Sequence, residues 1–203
     1  MAVILDLGCG ESIETIGFLV ELGLDANRQL VVGVDWSYDF CRRSRDKALR
    51  HGLLADYVCC DAGLLPFTEG SFDIVLMLDS LRCLKGHSMS RFLREALRTL
   101  KPGGRMYVTG LDSVAYGGRK LPAFKDARLP FNWNIYIPRR RGTPPFITRE
   151  PRDEEAFDCL GALPCNLITQ ILSRFGVKAE ITWNIKEENG YKYLYYIVSF
   201  AKA

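Results

Sequence analysis

The chain has 203 residues, of which 48% are hydrophobic and 25% charged, and its formal net charge at pH 7 is +3. This balance is typical of one globular domain with a full core, and so small a charge does not by itself indicate a nucleic-acid partner. No apolar run reaches the roughly 18 residues that a membrane helix needs, and the first six residues lack the pattern of a signal peptide. We therefore expect one domain over residues 1–203, no membrane span and a cytoplasmic location.

The seven cysteines are predicted to be free thiols, because an odd number cannot all pair within the chain and none forms a CxxC motif. With only two histidines to supply imidazoles, we expect no metal site. We interpret Cys59, Cys60, Cys159 and Cys165 as ordinary thiols, since free cysteine is a common core residue.

Strand and helix patterns alternate through the first half, which predicts a parallel sheet covered on both faces. The predicted strands are apolar runs bounded by turn residues: Val3–Leu7, Leu30–Val34, Ala55–Cys59, Phe72–Leu78 and Arg105–Gly110. Helices are predicted over Ile13–Leu22, after a cap at Ser37, and over Ser88–Leu100, where a Lys-Pro-Gly-Gly turn ends the helix.

The second half changes character, because residues 111–160 hold six prolines among aromatic and charged residues. We interpret this segment as an insertion or lid rather than a linker. A helix over Leu163–Phe175 follows, and then two strands, Val177–Ile185 and Tyr191–Phe200, joined by an Asn-Gly hairpin turn. The predicted fold is a doubly wound, mostly parallel seven-stranded α/β sheet that closes with a C-terminal antiparallel hairpin.

Glycines and polar residues follow three of the predicted strands, at the sheet edge where open α/β folds bind ligands. Gly8 and Gly10 let the backbone bend sharply and approach a ligand closely. Asp35 is placed to accept hydrogen bonds from both hydroxyls of a ribose, and Trp36 offers a flat face to a purine. Asp61 can accept a hydrogen bond from an adenine amino group. These residues predict a nucleoside site.

Plainer interpretations of the same residues stay open. A Gly-x-Gly sequence also occurs in ordinary strand-to-helix turns, Asp35 can serve as a helix cap, and Trp36 can be a core residue. A nicotinamide-dependent oxidoreductase uses the same ribose-binding logic, but it expects a third glycine where this chain has Ile13.

Four segments in order carry a family resemblance: Val3–Gly10 (VILDLGCG), Val32–Asp35 (VGVD), Asp61–Pro66 with Phe72–Val75 (DAGLLP and FDIV), and Leu97–Gly104 (LRTLKPGG). They resemble the successive motifs of class I S-adenosylmethionine-dependent methyltransferases, above all the small-molecule branch with ubiquinone- and menaquinone-biosynthesis-like enzymes. The resemblance implies a Rossmann-like methyltransferase fold, S-adenosylmethionine as cofactor and methyl transfer as the reaction.

The resemblance also implies roles for individual residues. Those expected to line the cofactor follow the first four strands: Asp6, Gly8, Cys9, Gly10, Asp35, Trp36, Asp61, Ala62 and Leu78. The glycine loop would hold the methionine end and Asp35 the ribose. Trp36 would flank the adenine, which Asp61 and Ala62 would also contact. Asp79 is the candidate catalytic residue, through contact with the methyl acceptor, although a role in cofactor binding or helix capping stays open.

The acceptor is expected to be a small molecule that lies against the segment 111–160. Arg139–Arg141 near Trp133 leave RNA open as an alternative acceptor. Ser12 stands where the family often has a third glycine. The chain also begins at the first strand, where the family usually has earlier helices that cover the cofactor. We therefore expect cover from residues 111–160, from a homodimer or from a partner subunit, and a non-catalytic cofactor-binding scaffold also stays open.

Overall fold

The computed structural model describes residues 1–11, 13–81, 87–116, 119–120, 134–138, 146–148, 157–160, 163, 165–188 and 191–203. Its main sheet begins with the parallel strands β1 (Val3–Leu7), β2 (Leu30–Asp35), β3 (Ala55–Cys59) and β4 (Phe72–Leu78). The strand β5 (Leu100–Tyr116) is also parallel to β4. The helices between them are α1 (Ile13–Glu21), α2 (Tyr38–Arg50) and α3 (His87–Thr99).

The sheet is completed from the C-terminal part of the chain. After β6 (Arg119–Lys120), which pairs with β5, come β7 (Asn134–Pro138), β8 (Phe146–Thr148) and β9 (Phe157–Leu160), which form a separate three-stranded sheet. The helix α4 (Cys165–Arg174) leads to β10 (Glu180–Glu188) and β11 (Tyr191–Ala201). The order across the main sheet is β10-β11-β5-β4-β1-β2-β3, and β11 is antiparallel to both of its neighbours.

The alternation of side chains along the strands divides the core between the two faces of the sheet. Leu5 and Met77 belong to the larger cluster, which is shared with α3 and α4. Ile4 and Leu76 belong to the smaller cluster, which includes Leu19 of α1. Because β4 is buried on both faces, its sequence is apolar at every position except Asp73.

The parallel strands are added to the sheet on both sides of β1. From β1 the chain passes to β2 and β3 on one side, and then β4 and β5 lie on the other side. The strand order therefore reverses between β1 and β4, and the carboxyl ends of these two strands flank a crevice of the kind in which open α/β sheets bind ligands.

Local contacts fix the helices beside the crevice. The hydroxyl of Ser37 caps α2 by accepting from Phe40 N at 3.4 Å, as the sequence predicts. At the C-terminal end of α3, the ammonium of Lys202 donates to the carbonyls of Leu97 and Leu100 at 2.9 and 2.8 Å. These bonds satisfy carbonyls that the end of a helix leaves without partners.

The predicted fold class is confirmed, with the predicted bounds of β1, β3 and β4 reproduced by the structure. The other bounds differ from the predicted ones by one or two residues, except those of β5 and β10. The strand β5 begins at Leu100, not at Arg105, so it includes the predicted Lys-Pro-Gly-Gly turn. It ends at Tyr116, not at Gly110, because residues 111–116 pair with the N-terminal half of β11. The strand β10 begins three residues later than predicted and runs to Glu188. The Asn189-Gly190 turn itself and the predicted Arg139–Arg141 patch lie outside the described residues.

Candidate functional site

The turn after β1 is held by backbone hydrogen bonds to the end of β2. Gly8 N and Cys9 N both donate to the carbonyl of Val34, at 2.8 and 3.0 Å. Gly8 has a φ of 73°, and a Cβ added there would lie 2.5 Å from Ser80 Cβ. Only glycine therefore allows the turn of β1 to pass so close to the end of β4.

Gly10 continues the turn and faces open space. Its φ is 49°, and a Cβ built on it meets nothing within 4 Å. Its N–H donates to Asp35 Oδ2 at 3.0 Å, and its carbonyl accepts from Ser44 Oγ at 2.9 Å. The carboxylate of Glu11 is paired with Lys47, and with Arg43 at 3.2 Å. The turn is therefore fastened to both β2 and α2 while one side stays accessible.

Asp35 is the most firmly held carboxylate in this group. It is 7% exposed, and its Oδ1 accepts from Ser37 N at 2.9 Å while Oδ2 accepts from Gly10 N. A carboxylate has about four acceptor positions, so each oxygen keeps one that these two bonds do not use. Two acceptor positions held at a fixed orientation match the two neighbouring hydroxyls of a ribose.

Trp36 and Asp61 flank that carboxylate with exposed side chains. Trp36 is 85% exposed, so the interpretation of it as a core residue is wrong. Asp61 Oδ1 accepts from Gly63 N at 2.8 Å, and its Oδ2 lies 4.0 Å from Arg91. Ala62 is buried beside it at 5% exposure. The structure thus brings a flat aromatic face and a carboxylate to the same strand ends as Asp35.

The loop after Asp61 is clamped by the end of α3. Arg98 donates to the carbonyls of Phe67 and Leu65, at 2.8 and 3.2 Å, and Glu95 accepts from Leu65 N at 2.9 Å. Arg98 also holds Glu95 by two hydrogen bonds of 2.8 and 2.7 Å. The hydrogen bond from Arg98 holds the pKa of the Glu95 carboxyl below its usual value. This clamp fixes the loop that carries Asp61.

Asp6 and Cys9 face the interior. Asp6 is 1% exposed and accepts a hydrogen bond from the hydroxyl of Thr15, which fastens α1 to β1. Cys9 is 5% exposed, and its Sγ would lie 3.0 Å from a Cβ at Gly33. Contact of Cys9 with a ligand through its backbone and of Asp6 with the methionine end stay predictions.

The end of β4 has an unusual backbone. Asp79 takes a left-handed conformation with a φ of 51°, which is uncommon outside glycine. Its N–H donates to Thr109 Oγ1 at 3.1 Å and approaches Thr109 O at 3.3 Å. Leu78 is half-buried just before it. Strained conformations of this kind concentrate at functional sites because the surrounding structure must hold them in place.

Two buried hydroxyls lie near Asp79 and were not predicted as site residues. Ser80 Oγ and the Tyr196 hydroxyl are buried without a hydrogen-bond partner among the described residues. A Cβ at Gly110 would lie 2.4 Å from the Tyr196 oxygen, so the ring crosses β5 where that strand has no side chain. Burial, followed by the charges of Cys165, Asp79 and Asp112, raises the pKa of Tyr196. The hydroxyl therefore stays protonated at neutral pH.

The one sequence signal for this arrangement was Gly110. A glycine inside a strand often marks the close approach of another group, but nothing local indicates that the group comes from β11, 86 residues later in the chain. Ser80 has no comparable signal, since it is one polar residue after a strand.

The described residues hold no group of three or more His, Cys, Asp or Glu side chains arranged to bind a metal ion. Five of the described cysteines, Cys9, Cys41, Cys59, Cys60 and Cys165, are free. Among the described helices, none combines the length and the apolar character required to cross a membrane.

A family model described as "Methyltransferase domain" matches residues 5–108. The chain belongs to the methyltransferase domain family. This match confirms the family that the four ordered motifs predicted, and it covers the strands and turns that form the crevice.

Two curated relatives show how far the sequence similarity extends. The phthiotriol/phenolphthiotriol dimycocerosates methyltransferase 1 of Mycobacterium ulcerans is 35% identical over 115 residues, which are 53% of this chain and 37% of that protein. The ubiquinone/menaquinone biosynthesis C-methyltransferase UbiE of Xylella fastidiosa is 34% identical over 113 residues, 55% of this chain and 43% of that protein. The matched part therefore spans less than half the length of these relatives.

A solved structure extends the likeness to the whole fold. The crystal structure of an S-adenosylmethionine-dependent methyltransferase from Methanosarcina mazei has a TM-score of 0.70 with this chain at 19% identity. The alignment covers 99% of this chain and 92% of that one. At so low an identity, the likeness establishes the shared fold.

Proposed function

We propose that this methyltransferase-family chain binds S-adenosylmethionine across the ends of β1, β2 and β3 and transfers its methyl group to a small-molecule acceptor. The observation that supports this most directly is the Asp35 carboxylate, held by Gly10 N at 3.0 Å and Ser37 N at 2.9 Å. Because both oxygens are fixed by backbone donors, the ribose hydroxyls meet an acceptor pair that needs no rearrangement.

The same geometry argues against a dinucleotide cofactor. A pyrophosphate is bound by free backbone N–H groups at the turn and at the helix N-terminus. In this turn, the N–H groups of Gly8, Cys9 and Gly10 already donate hydrogen bonds to Val34 and Asp35. A nucleoside with a zwitterionic amino-acid tail carries no pyrophosphate to set against these three N–H groups. The residues therefore fit S-adenosylmethionine better than a nicotinamide dinucleotide.

The chain's own residues would bind and orient the cofactor and would exclude water from it. Asp35 would hold the ribose, Trp36 would stack on the adenine, and Asp61 and Ala62 would contact its edge, while the turn from Gly8 to Gly10 would carry the methionine end. The cofactor supplies an activated methyl group, so alignment and desolvation are the main tasks left to the protein.

The acceptor would lie beyond the methionine end, at Leu78 and Asp79. The Asp79 carboxylate would take the proton of an acceptor hydroxyl or amine, or would orient the acceptor by a hydrogen bond. The buried hydroxyls of Ser80 and Tyr196 lie on the same side of the crevice and offer further hydrogen bonds if the pocket opens to admit the acceptor. We propose that the part of the segment 111–160 that follows β5 covers this side as a lid.

Calorimetric titration of the purified chain with S-adenosylhomocysteine and, separately, with NAD⁺ tests the cofactor assignment. We expect S-adenosylhomocysteine to bind with a micromolar dissociation constant, about −8 kcal/mol, and NAD⁺ to bind at least a hundredfold more weakly. Preference for NAD⁺, or binding of neither compound, would contradict the proposal.

Methyl transfer is tested with isotopically labelled S-adenosylmethionine against a panel of quinols, phenols, amines and polyketide-like hydroxy compounds, with total RNA as a separate arm. Labelling of at least one small molecule, lost in Asp79→Asn, supports the proposal. Transfer to RNA alone would indicate that the chain is an RNA-modifying methyltransferase. Binding of S-adenosylhomocysteine without transfer to any acceptor would favour a non-catalytic scaffold.

A further inference from the structure

The main sheet ends in a strand whose outer edge pairs with no other strand in the described part of the chain. This strand is β10, which pairs with β11 on its inner side through nine residue pairs from Glu180 to Glu188. Every residue from Glu180 to Glu187 is exposed. A long unpaired edge presents a row of backbone donors and acceptors that another strand can extend.

The outer strand is also apolar on one face. Ile181, Trp183 and Ile185 alternate along it and are 42%, 47% and 60% exposed. Trp183 contacts the ring of Tyr196 edge to face, with 6.3 Å between the ring centres, so the three side chains lie on the face of the sheet that Tyr196 shares. Three large apolar residues in a row on an unpaired edge are typical of an interaction surface.

The sequence of β10 is complementary to itself when two copies run antiparallel. With a two-fold axis at Trp183, Ile181 lies opposite Ile185 of the partner subunit, and Thr182 lies opposite Asn184 of the partner subunit. At the end of the pair, Glu180 lies opposite Lys186 of the partner subunit. Apolar residues therefore meet apolar ones, polar residues meet polar ones, and opposite charges meet twice by symmetry.

Neighbouring two-fold registers lose part of this match. An axis at Asn184 places Ile181 opposite Glu187 of the partner subunit and Glu180 opposite Glu188 of the partner subunit. An axis at Thr182 places Glu180 opposite Asn184 of the partner subunit and leaves Lys186 beyond the strand. Side-chain pattern is what fixes the register of paired strands, and here it favours the axis at Trp183.

We propose that β10 is the interface of a homodimer in which two copies pair antiparallel across a two-fold axis at Trp183. The two main sheets then form one continuous sheet. Since β10 and β3 are the outermost strands at opposite ends, the cofactor side of each crevice stays uncovered in this dimer. The inference does not depend on the proposed function.

The predicted dimer is a weak one. A pair of nine-residue strands with three apolar side chains from each copy is at the small end of specific interfaces. We therefore expect dissociation in the micromolar range, on the order of 10 µM, so the equilibrium is visible between 1 and 100 µM protein.

Charge reversal across the pair tests the register. In sedimentation-velocity measurements on the full chain, we expect Glu180→Lys and Lys186→Glu each to raise the dimer dissociation constant about tenfold, because each places like charges opposite each other twice. The double variant Glu180→Lys/Lys186→Glu restores both opposite-charge pairs and should return to within about threefold of the parent value.

Two further variants serve as controls, one expected to abolish dimerisation and one expected to leave it unchanged. Ile185→Lys sets a charge against Ile181 of the partner subunit and should leave the chain monomeric at 100 µM, whereas Arg28→Glu, the same type of charge reversal on an exposed residue far from β10, should change nothing. Circular dichroism confirms that each variant is folded. A parent chain that is monomeric at 100 µM, a dimer indifferent to the single reversals, or a double variant that does not recover would each overturn the proposal.

Discussion

The two sides of the crevice treat their polar groups in opposite ways. On the cofactor side, the ends of β1, β2 and β3 bring together groups that are already bonded, as with Asp35 and the N–H groups of Gly8 and Gly10. On the acceptor side, the end of β4 and the middle of β5 and β11 bury the hydroxyls of Ser80 and Tyr196 without a partner among the described residues.

This difference follows from what each side is proposed to bind. A cofactor common to a whole family is best met by fixed acceptors, since rigidity lowers the entropic cost of binding. Buried hydroxyls without partners lower stability, and groups of this kind persist where function requires them. Under this proposal the cofactor side is preorganised, and the acceptor side holds hydrogen-bonding capacity that a substrate would use.

The largest expected effect comes from breaking the cofactor side at Asp35. In Asp35→Ala, loss of two charge-assisted hydrogen bonds should cost about 2–4 kcal/mol of affinity for S-adenosylhomocysteine, or roughly 30- to 700-fold. Calorimetry measures the affinity, and Asp56→Ala, at an exposed carboxylate near the start of β3, is the control. Unchanged affinity in a folded Asp35→Ala protein would remove Asp35 from the site.

Trp36→Ala, also on the cofactor side, tests whether this residue contributes to cofactor binding or to the stability of the fold. Because the side chain is 85% exposed, the free energy of unfolding should change by less than about 0.5 kcal/mol. Loss of stacking on the adenine should weaken binding of S-adenosylhomocysteine by about 1–2 kcal/mol. Leu49→Ala, on an exposed residue near the end of α2, serves as control. A large loss of stability with full affinity would make Trp36 a structural residue.

Glu95→Gln tests the clamp that supports the cofactor side. The pKa of Glu95 is lowered in the folded protein, so its ionised form adds stability above the unfolded value of about 4.3. That stability is lost as the pH falls through the lower folded pKa. Urea unfolding should show a loss of about 1–2 kcal/mol at pH 7 and a smaller loss at pH 3.5. An equal loss at both pH values would rule out an electrostatic origin.

Tyr196→Phe is the corresponding substitution on the acceptor side. Its expected effect on the free energy of unfolding is the smallest of the four predicted effects, and it is a gain in stability rather than a loss. Removing a buried hydroxyl without a partner should stabilise the free protein by up to about 1 kcal/mol. Tyr195→Phe, at the next position on β11 and half-buried, should give no such gain. Urea unfolding of both variants measures the difference, and destabilisation by Tyr196→Phe would show that the hydroxyl has a partner.

The cofactor side could be predicted from the sequence because its signals are local. The strand β1, the turn at Gly8 and Gly10, and Asp35 at the end of β2 lie within 33 residues of each other, and each follows an apolar run that a buried strand requires. The capping role of Ser37 was predictable for the same reason. The exposure of Trp36 and the clamp of Arg98 and Glu95 on the loop after Asp61 needed the structure.

The acceptor side could not be predicted to the same depth, because it is assembled from distant parts of the chain. Tyr196 reaches the site only when β11 inserts between β5 and β10, and the register that sets it against Gly110 is fixed by the whole sheet. The extension of β5 to Tyr116 was missed for the same reason, since residues 111–116 form a strand by pairing with β11. The role of residues 111–160 as a lid stays a prediction.

A crystal structure of the chain with S-adenosylhomocysteine tests the central claim most directly. We predict that both ribose hydroxyls lie within 3.2 Å of the Asp35 carboxylate, that the adenine stacks on Trp36, and that the sulfur points toward Asp79. A ligand held elsewhere, or a crevice filled by the protein's own side chains so that no nucleoside fits, would contradict it.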